Sequence, residues 1–148
     1  SEKDKRNKKI NNMEIDFFSI DIDSYDLQCL KNLNSISPRI ICVEYNAKNR
    51  QNIKLKIREI KNFSWEYDDY FGSSLLSINT MLEKKGYKLI ATNITGSNAF
   101  FVKNELAKLT KTKNQTVEDL YSPPNYDLFN YNVTHAPTNK YLIDKLND

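Results

Sequence analysis

Apolar positions along the chain fall into short runs separated by polar turns, and their spacing changes from run to run. Residues 15–22 (IDFFSIDI) are apolar nearly throughout and rich in β-formers, the pattern of a strand buried on both faces of a parallel sheet. Ser24 follows as a candidate N-cap with Asp26 in the first turn. Leu27, Leu30 and Leu33 then recur at helical spacing until Pro38 stops the element. Residues 39–45 (RIICVEY) are a second nearly continuous apolar run. The roughly fifteen residues between the runs are enough for one crossover helix, so the pattern predicts a βαβ unit with a right-handed crossover.

The next stretch, residues 46–72, is less regular. Ile53, Leu55 and Ile57 alternate like a short strand, with a helical turn as the other option. Phe63, Trp65, Tyr67, Tyr70 and Phe71 follow, with Glu66, Asp68 and Asp69 between them. The clearest helix comes next. Ser73 or Ser74 caps it, Leu75, Leu76, Ile78 and Leu82 line one face, Lys84 and Lys85 sit in the last turn, and Gly86 ends it. Residues 87–92 (YKLIAT) and 99–103 (AFFVK) are two more strands, and the short turn at 93–98 permits only an antiparallel pair. The predicted sheet is parallel with one antiparallel strand at its end. Three sections result: a polar N-terminal segment (1–13), an α/β domain (14–106) and a C-terminal extension (107–148) that packs in places. The basic run Lys3–Lys9 reads as a solvated end rather than an arm for phosphate or lipid.

Composition narrows the function classes. With 148 residues, 39% hydrophobic and 28% charged, the chain has the make-up of a folded domain. A net charge of +3 from 22 basic and 19 acidic residues is too mild and dispersed to suggest nucleic acid. No apolar run approaches the ~20 residues that span a bilayer. Two cysteines and one histidine exclude a Cys/His zinc site. Cys29 and Cys42 are expected as buried free thiols in a reduced cytoplasm. The Asn- and Lys-rich composition makes the sequons at Asn93 and Asn132 chance matches, and His135 is assigned no role.

Ligands of open parallel sheets bind beyond the carboxyl ends of the strands. That rule selects Asp21 and Asp23 from the first strand, Glu44, Tyr45 and Asn46 from the second, and the 92–98 turn, with Asn98, from the last hairpin. The aromatic segment leaves from the same rim, and Trp65, Tyr67 and Tyr70 are candidate substrate platforms. Carboxylates gathered there can act as a general base for a hydroxyl, hold a divalent cation, or bind sugar hydroxyls. Ser24 and Asp26 have a competing use as helix cap and dipole partner. An apolar strand ending in Asp-x-Asp also fits a metal-dependent glycosyltransferase that uses Asp21-Ile22-Asp23. The terminal hairpin instead favours methyl transfer on a Rossmann-like sheet.

Four segments carry a resemblance: IDFFSIDIDSYD (15–26), PRIICVEYN (38–46), FGSSLLSINTMLEKKGYKLIATN (71–93) and GSNAFFVKNEL (96–106). In this order they resemble the C-terminal half of FkbM-type methyltransferases, across residues 14–106. The resemblance implies a Rossmann-like class I domain and S-adenosylmethionine-dependent methylation of a sugar or natural-product hydroxyl. The acceptor would be a small molecule or glycan, and no metal is assigned. The family's usual Asp-x-Glu-Gly-x-Glu stretch corresponds to Asp21, Asp23, Ser24 and Asp26; Asp replaces both Glu positions, and Ser stands where Gly is usual. Asp21 and Asp23 become the catalytic candidates, with Ser24, Asp26, Glu44, Asn46 and Asn98 binding substrate or cofactor. The glycine-rich turn that grips the cofactor has no counterpart here, so the cofactor-binding half is expected upstream and this piece alone is expected to be inactive. The first strand should then have lost a neighbour, leaving an unpaired apolar edge open to self-association or to cover by the N-terminal segment. A non-catalytic binding module is the remaining alternative.

Overall fold

The computed structural model describes residues 14–60, 63–125 and 138–146. A four-stranded mixed sheet organises the chain: β1 (Phe17–Ile20), β2 (Ile40–Glu44), β3 (Tyr87–Thr92) and β4 (Asn98–Lys103). β1 pairs in parallel with β2, from Phe17 opposite Ile40 to Ile20 opposite Val43. The crossover between them is α1 (Asp26–Asn32), and α2 (Leu75–Lys84) precedes β3. Both helices pack on one face of the sheet. Leu27, Leu30, Leu75, Ile78 and Leu82 share a core with Ile20, Ile41, Val43, Leu89 and Phe101. These are the periodic positions of the sequence, so burial of the helical stripes against alternate strand residues defines the α/β layer.

The antiparallel strand is last in sequence but not last in space. The order is β1-β2-β4-β3, and β4 runs antiparallel to both neighbours. An end position was expected; the side chains explain the difference. Ala99, Phe101 and Val102 of β4 are buried, whereas β3 is only half-buried from Ile90 to Thr92. The more apolar strand of the hairpin therefore takes the interior place, and the other forms the edge. β1 is the opposite edge. Phe17 is 54% exposed and Ser19 is exposed, so this strand is not buried on both faces here. Among the described residues, no strand pairs with the outer edge of β1.

Local signals account for the rest. The Ser74 side chain accepts from Ser77 N at 3.3 Å and caps α2, and Gly86 at φ 83° ends it. The Leu55/Ile57 alternation belongs to a short extended segment: Lys56 bridges Ser73, Ser74 N donates to Leu55 O at 2.8 Å, and Ile57 N donates to Gly72 O at 3.2 Å. After β4 come α3 (Asn104–Ala107), α4 (Val117–Leu120) and α5 (Lys140–Leu146). α4 carries a Thr116/Asp119 capping box, and its end is tied to β3 where Thr92 Oγ1 donates to Leu120 O. Of the cysteines, both free, only Cys42 is buried; Cys29 lies on the exposed side of α1. The basic N-terminal run, Asn132, His135 and Pro137 lie outside the described residues. No helix among the described residues is long and apolar enough to cross a membrane.

Candidate functional site at the carboxyl rim

β1 and β2 end side by side, so the polar residues that follow each meet on one rim. The β3–β4 turn joins them, since Tyr45 N donates to Ser97 O at 2.8 Å and Glu44 sits opposite Asn98. Carboxylate oxygens of Asp21, Asp23 and Glu44 all lie within 4.8 Å of one another. Asp21 and Asp23 are exposed, and Glu44 is half-buried. Among the described residues, no lysine or arginine is paired with these carboxylates.

Electrostatics follow from that crowding. Burial pushes the Glu44 carboxyl up to about 7, and the charges of Asp21, Asp26 and Asp23 add to the shift. Its Oε2 is shielded from solvent and has no hydrogen-bond partner among the described residues. Glu44 therefore exchanges a proton near neutrality, the property of a general base or acid. The same three carboxylates could hold a hard divalent cation. Oxygens on opposite sides of such an ion are about 4 to 5 Å apart, which matches the span of this cluster.

The loop between β1 and α1 has an unusual backbone. Asp23 has φ 52° and Ser24 has φ 152°, both in the region that favours glycine. Ser24 is thus held in a backbone conformation that disfavours a side chain. It is not the helix cap: Tyr25 occupies the cap position without a side-chain bond. Ser24 is 2% exposed, and its hydroxyl has no partner among the described residues. Asp26 holds the loop in this shape. Its Oδ1 accepts from Ile22 N at 3.1 Å and its Oδ2 from Ser24 N at 3.3 Å. At 1% exposure its pKa is raised by burial, against the pull of those amides. Asp26 acts from beneath the rim, as a clamp on the loop and a negative neighbour of Glu44.

Asn46 is also a clamp. Fully buried, it donates from Nδ2 to Asp69 O at 2.9 Å and Phe71 O at 3.1 Å, and its Oδ1 accepts from Lys48 N at 3.1 Å. Its capacity is spent on the aromatic segment and on its own turn. Asn98 is half-buried at the rim. It accepts from Cys42 Sγ at 3.9 Å and donates to Ser97 Oγ at 3.3 Å. The aromatic platforms divide by exposure: Tyr67 is 77% exposed, whereas Tyr70 is buried with its hydroxyl on Asp144.

Sequence reasoning missed the part played by α5. Tyr141 donates to Phe71 O at 2.8 Å, and Lys140 bridges Glu66 at 2.6 Å and Asp68 at 2.9 Å. The helix is strapped across the aromatic segment that Asn46 also holds. The signal was a short amphipathic pattern, Tyr141 and Asp144 one turn apart, inside a polar tail. Comparison with protein-family profiles, with curated proteins and with solved structures yields no match for this chain.

Proposed function

We propose that this chain is the C-terminal half of an S-adenosylmethionine-dependent O-methyltransferase domain, acting on a sugar or natural-product hydroxyl. The observation that carries the reading is the Glu44 carboxyl, poised near neutral pH beside Asp21 and Asp23 on the carboxyl rim. The inserted antiparallel last strand also supports it. When bound, the cofactor supplies an electrophilic methyl on a cationic sulfonium, which suits a negatively charged rim. Its main grip belongs to residues outside this chain: Gly72, Gly86 and Gly96 are far apart in sequence and serve separate turns. Glu44 accepts the proton of the attacking hydroxyl as it reacts. Asp21 and Asp23 orient that hydroxyl, and Asn98 fixes the opposite wall of the rim. The Asp26 clamp holds the loop, so the carboxylates are placed before substrate arrives.

A second reading rests on the 4.8 Å span of the carboxylates: a divalent cation held there, serving a nucleotide-diphosphate sugar in glycosyl transfer. The complete encoded protein decides between them. Calorimetric binding of S-adenosylmethionine, with methyl transfer to polyols lost in Glu44→Gln, supports the first reading. A manganese-dependent thermal shift with a nucleoside diphosphate, and none with S-adenosylmethionine, overturns it in favour of the second. A non-catalytic module responds to neither.

A further inference from the structure

A cavity of about 510 Å3 lies between the extended segment at residues 54–59, α5 and the start of α1 and α2. None of the rim carboxylates lines it. That volume is in the range of small-molecule sites, roughly 300–1,000 Å3. Its floor is apolar: Leu27 and Ile57 are buried and Leu55 is half-buried. Its mouth is basic, with Lys54, Lys56 and Lys145 exposed there. None of the three lysines has a carboxylate partner among the described residues. The wall's own anions are less available. Asp144 is taken by Arg58 at 3.5 Å and by the Tyr70 hydroxyl, which leaves Glu59, exposed at the opening.

We propose that this cavity binds a small anionic amphiphile, a phosphate or carboxylate carried on a short apolar chain or ring. The apolar part lies on Leu27, Leu55 and Ile57, and the anion meets the lysines. An apolar floor supplies affinity in proportion to the area it covers, and a cluster of unpaired cations at the mouth sets charge sign and orientation. A neutral ligand of the same shape leaves the lysines hydrated and gains nothing from them. The proposal does not depend on the chemistry at the rim.

The test uses hexyl phosphate and hexanoate as probes, with 1-hexanol as the uncharged control, on the 15N-labelled chain. Saturable binding of both anions is expected, with amide shifts at Leu27, Ser77 and residues 55–58, and affinity at least about tenfold above that of hexanol. Lys54→Glu with Lys56→Glu should weaken binding about tenfold while leaving the melting temperature unchanged, because both side chains are exposed and unpaired. Shifts confined to other surfaces, hexanol binding as tightly as the anions, or indifference to the double substitution would overturn the proposal. Phosphatidylglycerol vesicles separate a free ligand from a lipid surface: capture by vesicles without binding of soluble hexyl phosphate also overturns it.

Discussion

Replacing Glu44 by Gln keeps the shape of the side chain and removes its charge, so the effect on stability isolates the electrostatic strain at the rim. In the unfolded chain the carboxyl titrates near its ordinary value of 4.5; in the folded protein it titrates at about 7. Between those values the folded state holds a proton that the unfolded state has lost. The contribution of this group to stability is therefore most favourable at low pH, falls as pH rises through this window, and levels off above the folded pKa. At ~1.4 kcal/mol per pKa unit the full shift would correspond to about 3 kcal/mol, and partial exposure of Glu44 screens this to about 1–2 kcal/mol. Glu44→Gln should then raise the melting temperature by about 3–8 °C near pH 8. It should leave it unchanged near pH 3, where the carboxyl is protonated in both the folded and the unfolded chain. Thermal unfolding of both proteins across that range, with the shift taken as a difference at each pH, cancels the groups that do not interact with Glu44. An equal shift at both ends of the range, or a loss near pH 8, would refute the electrostatic account.

Other substitutions probe the supports of the rim. Ser24→Gly should stabilise by about 1–2 kcal/mol in urea unfolding, because relief of a positive φ and of an unpaired buried hydroxyl outweighs the backbone entropy of glycine. Gly96→Ala should destabilise by at least about 2 kcal/mol, since φ 72° disfavours a side chain and an added Cβ would sit 2.2 Å from Pro123 O. Asn46→Ala should lose about 2 kcal/mol by orphaning the Asp69 carbonyl, while the Phe71 carbonyl keeps its bond from Tyr141; a change in ligand affinity with stability intact would show instead that Asn46 faces a ligand. Calcium or manganese added near pH 7 should raise the melting temperature of the natural chain and not of Asp21→Asn with Asp23→Asn if the carboxylates hold a cation.

What was legible in the sequence was periodicity. The runs containing Phe17–Ile20 and Ile40–Glu44, the leucine stripes of α1 and α2, and the Ser74 and Gly86 stops became the elements they promised. Periodicity is silent on lateral order. Nothing in YKLIAT or AFFVK states which strand meets β2, and the choice falls to which buries more, a property of the assembled sheet. The Ser24 cap failed for a similar reason: the Asp26 carboxylate reached back to the amides of Ile22 and Ser24 and took over the organisation of the turn. The tail was hardest to read, because α5 is held by scattered polar contacts to residues some seventy positions away.

The rim separates its polar residues by depth. Sequence places Asp21, Asp23, Asp26, Glu44 and Asn46 together at the strand ends and sets Asp21 and Asp23 foremost, but it carries no information on their depth. Burial ranks them. Asp26 and Asn46, almost fully enclosed, spend their hydrogen bonds on backbone and fix two loops. Asp21 and Asp23 remain in water and keep ordinary freedom to meet a ligand. Glu44 lies between these limits, deep enough to lose hydration and close enough to three anions to resist ionisation. That intermediate depth makes it the group whose protonation is sensitive to an arriving charge. A cation approaching the rim would lower its pKa and release its proton, whereas a further anion would hold the proton in place.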